Sequence, residues 1–131
     1  MSALKICQDL LCAEIAVPVY PVVAPQTAEL PFVVTTLVHE AQDFVIEGAN
    51  HAFFARIQIA AHGDSPAKAD ELAEIVKEVL EITVNRTVSE AGIPWAGATF
   101  WKEGTDLHDY SDDRSVFRRI TDWRLRWWRV P

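Results

Sequence analysis

The spacing of apolar positions switches along the chain between a period near 3.6 and a period of two, and the switches mark the elements. Over residues 3–15, Leu4, Cys7, Leu10 and Leu11 recur at three- to four-residue spacing while Lys5, Asp9 and Glu14 stay polar, which predicts a first helix. Pro18 and Pro21 then interrupt "VPVYPVVAP", so that stretch is an edge strand at best, because proline cannot donate to a ladder. "FVVTTLVHE" (32–40) is β-branched and predicts a strand. "HAFFARIQIAAHG" (51–63) predicts another, with Phe53, Ala55, Ile57, Ile59 and Ala61 on one face and Arg56 and Gln58 on the other. The ten residues between them, 41–50, predict a long hairpin loop with a turn near Gly48.

A second helix opens at Pro66, with Asp64 or Ser65 as its cap. Its apolar stripe is Ala69, Leu72, Ile75, Val76, Val79 and Leu80, and its wet face is Glu71, Glu74, Lys77, Glu78 and Glu81. The stretch 84–97 predicts a connector, with one helical turn suggested by the capping-box spacing of Thr87 and Glu90. Residues 98–103 predict a strand and residues 104–113 an acidic loop. Residues 114–130 end in strict alternation, with Trp123, Leu125 and Trp127 facing one way and Arg124, Arg126 and Trp128 the other. The order α-β-β-β-α-β-β, rich in hairpins, predicts an α+β fold. It is a single domain over residues 1–131, with a largely antiparallel four- to five-stranded sheet and two main helices on one face.

Charge sharpens this picture. The net formal charge is −7, yet residues 113–131 hold six arginines against Asp113 and Asp122, a local +4, which leaves −11 on residues 1–112. An acidic body repels phosphates and so discourages loose adsorption to DNA. Cys7 and Cys12 form no C-x-x-C pair and no zinc framework, so both are expected reduced. Asp9 and Glu14 break the apolar run that a secretory leader needs, and no stretch approaches 18 apolar residues; neither a leader nor a membrane contact is expected.

Candidate chemistry is sparse. The five glycines permit no phosphate-binding loop. "SPAK" (65–68) has the S-x-x-K spacing of serine β-lactam enzymes but lacks their partner motifs, and reads better as a capped helix start. "NRT" (85–87) matches a glycosylation sequon, which carries no weight without secretion. His39, His51, His62 and His108 are scattered. Ser111, His108 and Asp109 carry triad residue types without a nucleophile elbow. Asp106, Asp109, Asp112 and Asp113 could gather around a cation, but the central glycine and final glutamate of an EF-hand are missing. The expectation is no enzyme, no cofactor and no resident metal.

The closing "RLRWWRVP" leaves three roles open for its outward face: a subunit interface, a plain exposed sheet face, or a nucleic-acid contact. Beyond generic physics, "VYPVVAPQTAELPFVV" (19–34) followed by "ARIQIAAHGDSPAKADELAEIVKEVL" (55–80) resembles the tail completion or tail terminator proteins of long-tailed, siphovirus-like bacteriophages, with their relatives in prophages and gene-transfer particles. The shared features are a short N-terminal helix, a "VYP" strand and an "LP" step into a β-branched strand. An R-x-Q strand then precedes a small-residue helix, and an aspartate-containing loop precedes a final arginine-bearing strand. The "WRLRWWRVP" ending matches no motif of that family.

The resemblance implies a structural virion protein, made in the host bacterial cytoplasm and placed at the head-proximal end of the tail. It implies a homo-oligomeric ring, typically a hexamer, that terminates the tail tube. The partners implied are the tail tube protein and the head–tail connector protein, and DNA passes through the ring without specific binding. The alternatives are another head–tail neck or minor virion protein and, behind it, a nucleic-acid-binding module. A closed ring needs one patch to meet a different patch on the next copy. The candidate interface residues are Phe44, Val45 and Ile46 on the 41–50 segment and Arg124, Arg126, Trp128 and Arg129 on the final strand.

Overall fold

The computed structural model describes residues 3–45, 48–82, 86–90 and 93–129. The elements run α1 (Ala3–Glu14), β1 (Val19–Pro21), β2 (Phe32–Val45), β3 (Gly48–Gly63), α2 (Pro66–Glu81), β4 (Arg86–Glu90), β5 (Ile93–Tyr110) and β6 (Phe117–Arg129). One six-stranded sheet has the order β1-β2-β3-β6-β5-β4. Every pairing is antiparallel except that of β1 with β2. The fold is α+β as expected, with both helices contributing to one core on one face of the sheet.

The centre of the sheet follows from alternation. In β3, Ala55, Ile57, Ile59 and Ala61 are buried; in β6, Thr121, Trp123, Leu125 and Trp127 are buried. The register sets Ala55 opposite Leu125, Ile57 opposite Trp123 and Ile59 opposite Thr121, so the two apolar rows fuse. Trp123 is fully buried, and its Nε1–H donates to Thr121 Oγ1 at 2.9 Å. The Thr121 hydroxyl donates onward to the Ile59 carbonyl at 3.3 Å, so this polar group is satisfied inside the core.

The helix α1 buries Ala3, Ile6, Cys7, Leu10 and Leu11, with Leu4 half-buried beside them. Gln8 pins the helix to the sheet edge: its amide donates to the Val19 carbonyl and accepts from the buried Thr35 hydroxyl at 3.3 Å. That tie holds the three-residue β1 in place despite Pro21. Val33 N–H donates to the Pro18 carbonyl and Val22 N–H to the Thr35 carbonyl, completing the parallel edge. Burial raises the Cys7 thiol to about 12, with the neighbouring Cys12 adding to the effect, so Cys7 packs as a small apolar group.

Ser65 caps α2: its hydroxyl accepts from Lys68 N–H at 3.2 Å, and Pro66 follows. The buried stripe is Ala69, Leu72, Ala73, Val76 and Leu80, with Val79 packed against the core. Ile75, expected inward, is instead 42% exposed. The centre of the buried face lies between the directions of Leu72 and Ala73, about 100° around the helix from Ile75.

Three expectations about loops are corrected. Residues 41–50 are not a long loop: β2 and β3 stay paired out to Val45 opposite Gly48, with a register shift between Gln42 and Phe44. Residues 46–47, between the two strands, lie outside the described residues. The helical turn at 87–90 is replaced by β4, which adds a strand to the sheet; pairing with β5 outweighs a local capping box where Thr87 and Val88 are β-branched. The acidic stretch 104–110 is strand, part of β5, which accommodates Gly104 at φ +71° within a register shift between Glu103 and Leu107.

Gly63 ends β3 where α2 turns back onto the sheet. A Cβ there would sit 2.7 Å from Ala69 N and 2.9 Å from Lys68 Cβ, backbone and near-backbone atoms that cannot swing aside. We expect Gly63→Ala to cost about 1–3 kcal/mol. A thermal or urea melt unchanged from that of the unsubstituted protein would refute the close-approach account.

Candidate functional site

Among the described residues the helices cover one face of the sheet and leave the other open. On the open face, residues alternate with the core positions just described. They are Val38 and His39 of β2, Phe54 and Arg56 of β3, Asp122, Arg124 and Arg126 of β6, and Trp101 and Glu103 of β5. Most of these line a depression of about 560 Å³. Its apolar part includes Phe54, 40% exposed, and Trp101, 41% exposed.

Its charges interlock. The register places Arg56 directly opposite Arg124, a like-charge pair that would repel. It also places Glu103 opposite Asp122, one step along. The diagonals resolve the conflict. Arg56 Nη2 donates to Asp122 Oδ2 at 3.0 Å, and Arg124 Nε lies 2.9 Å from Glu103 Oε1, with Arg56 Nε 4.0 Å from the other Glu103 oxygen. Arginines held by carboxylates, with aromatic rings beside them, form a patch typical of protein interfaces. The interleaved Glu103 and Asp122 would repel a phosphate backbone, which disfavours nucleic acid here.

The acidic stretch has a different job. Asp109 pairs bidentately with Arg118 on the open face. On the helix face Asp106 holds Arg119 at 2.5 Å and Lys102 at 2.5 Å, both side chains of the Arg119 pair being mostly buried. Arg119 also reaches Glu74 of α2 at 2.9 Å, and His108 Nε2 lies 3.4 Å from Asp70, so this corner ties the second helix to the sheet. Asp113 accepts from Ser111 Oγ, Ser115 N–H and Ser115 Oγ and organises the β5–β6 turn. Those bonds, from Ser115 first, bring its carboxyl down to about 2. Among the described residues no group of three His, Cys, Asp or Glu side chains could hold a metal ion.

The triad residue types do not converge. His108 registers with Arg119 and Asp109 with Arg118, on opposite faces, while the Ser111 hydroxyl is bonded to Asp113. His62 stacks on Phe32 at 4.5 Å, His39 lies on the open face, and the Ser65 of "SPAK" is the helix cap.

Of the candidate interface residues, Arg124 and Arg126 lie exposed on the open face. The backbones of Trp128 and Arg129 continue β6, opposite Ala52 and Trp95. Those of Phe44 and Val45 close the β2–β3 hairpin, opposite Ala49 and Gly48. Ile46 lies outside the described residues. Sequence reasoning missed Phe54 and Trp101, although a signal was present: each is an aromatic on the polar phase of an alternating strand.

No protein-family model matches the chain, and no curated protein matches it. Among solved structures, the fold is similar to a chain of the virion of a native gene transfer agent particle. The TM-score is 0.56 at 19% identity, over 96% of this chain and 87% of that chain. At this identity the likeness is one of fold.

The ionisable groups set two acid windows. Burial first, and the nearby Arg118 charge, hold the His62 pKa below 6.5 against the pull of the Ala60 carbonyl and Asp109. The fold therefore favours the neutral ring, and that stability is complete above pH 6.5 and declines as the pH falls below it. Asp109, through its bond from Arg118, and Asp106, where bonds from Lys102 and Arg119 outweigh burial, are held below 3.8, so their contribution is lost only as the pH falls below that value. We expect His62→Gln to flatten the decline in urea midpoint just below pH 6.5 and to leave the loss below pH 3.8 intact. A variant with an unaltered slope in the upper window would exclude His62 as its source.

Proposed function

We propose that this chain is a structural component of a phage-like virion, and within it a tail terminator. In this reading copies assemble into a ring, expected to be a hexamer, on the head-proximal end of the tail tube. The ring stops tube growth and presents a surface to the head connector. The observation that carries the proposal is the fold shared with a gene transfer agent virion chain along nearly the whole length of both. The sequence resemblance to tail terminators narrows it.

The open face supplies what such a role needs, an apolar and arginine-rich surface that its own helices do not cover. Assembly would use that face together with the tip of the β2–β3 hairpin. The −11 charge on residues 1–112 suits a conduit to which DNA does not adhere. The lattice of ion pairs that occupies Asp106 and Asp109 gives the acidic stretch a structural use in place of a catalytic one.

Polymerising tail tube protein in the presence of this chain tests the reading. Electron microscopy is expected to show short tubes carrying a ring at one end. Tubes of undiminished length with bare ends would overturn it. Labelling at the neck or capsid of assembled particles, with tube ends bare, would transfer the protein to another head–tail component.

A further inference from the structure

We propose that the occupant of the open sheet face is helix α2 of a second copy of this chain. The inference rests on the self-assembly part of the reading above and names the two surfaces that meet.

The argument begins with Ile75. The outward side of α2 is a ridge of exposed glutamates, Glu71, Glu74, Glu78 and Glu81. Beside it stand Ile75, 42% exposed, and Ile82, 79% exposed. Ile75 on the exposed side of the helix and Ile82 at its C-cap add branched apolar surface to that ridge. The ridge offers carboxylates flanked by branched apolar groups. The depression on the other side of the sheet offers the converse, arginines flanked by Phe54, Trp101 and Val38. Arg56 and Arg124 are each held at one edge by Asp122 or Glu103 and remain about half exposed, leaving donors for a further carboxylate.

Size agrees with charge. The 16 residues of α2 span about 24 Å. The four strands β2, β3, β6 and β5 that form the depression have outer axes about 14 Å apart, enough to seat one helix about 10 Å wide. The chain's own helices pack on the same strands from the other side. Docking therefore repeats, between copies, the helix-on-sheet layer already made within one copy.

The two surfaces are different and lie on opposite sides of the sheet, so the contact is heterologous. Each copy offers a helix to one neighbour and a sheet face to another, which produces a closed ring or an open filament. The same geometry explains why α2 combines a core stripe with an outward face that is partly apolar.

Charge swapping tests the pairing. Sedimentation would compare the native chain, Glu71→Arg/Glu78→Arg, Arg124→Glu/Arg126→Glu, and the chain carrying all four changes, with circular dichroism confirming the fold of each. Each double reversal is expected to weaken self-association at least about 100-fold. The fourfold reversal, and an equimolar mixture of the two doubles, are expected to restore it. A milder change, Ile75→Ser, should weaken association without altering charge.

A native chain that assembles while the folded doubles assemble equally well would overturn this pairing and leave the terminator reading standing. So would a fourfold variant that stays apart. A native chain that is monomeric at about 1 mM, far above the protein–protein range, would overturn the self-contact. Tube-end capping then judges the terminator reading separately. Duplex or single-stranded DNA binding that Arg124→Glu/Arg126→Glu abolishes would replace the helix with nucleic acid as the occupant.

Discussion

The register between β3 and β6 is the constraint on which the rest of this molecule depends. These two central strands pair along nearly their whole length, without a bulge. Because side chains alternate with a period of two, one register assigns every residue of both strands to a face. It sends Ile57, Ile59, Trp123, Leu125 and Trp127 to the helices and Arg56, Asp122, Arg124 and Arg126 to the opposite side. A slip of one residue would bury the arginines and expose two tryptophans. Truncating one buried tryptophan costs about 3–5 kcal/mol, a large share of a domain's total stability, so slipped registers are strongly excluded.

The outer strands refine what the centre sets. Register shifts in β2 and β5 bend those strands, and the second shift in β5 brings Asp106 to Arg119 and Asp109 to Arg118. Three arginines of the basic C-terminal stretch thus make ion pairs within the chain, Arg118 with Asp109, Arg119 with Asp106 and Glu74, and Arg124 with Glu103, while Arg114 lies over the Tyr110 ring as a cation–π contact. The net −7 of the whole chain and the +4 of its end describe one arrangement, in which acidic side chains of β5 and α2 surround arginines of β6.

That arrangement leaves an asymmetric sheet. One face is sealed by two helices, and the other carries aromatic rings and half-satisfied arginines in a broad depression. On that open face Phe54 and Trp101 are 40% and 41% exposed.

Much of this architecture was legible in residue order. Alternation over 51–63 and 121–127 placed the core, the 3.6-residue period placed both helices, and Ser65 and Pro66 marked where α2 begins. Local propensity also set the α+β class. What only the tertiary structure decided was where carboxylates and arginines meet, and which apolar side chains stay outside. Thr87 and Glu90 read as a helical cap, but the segment pairs with β5, the strand that follows it, and that ladder outweighs a few tenths of a kcal/mol of local preference. Residues 104–110 read as a loop because polar density mimics solvent exposure. The strand is visible only when Arg118 and Arg119 stand opposite Asp109 and His108. Ile75 fits the apolar stripe by spacing alone, and its turn toward solvent depends on which arc of the helix the sheet covers. Periodicity assigns a residue to a face of its own element; the partner that covers that face is a contact between segments far apart in the chain, and no local pattern encodes it.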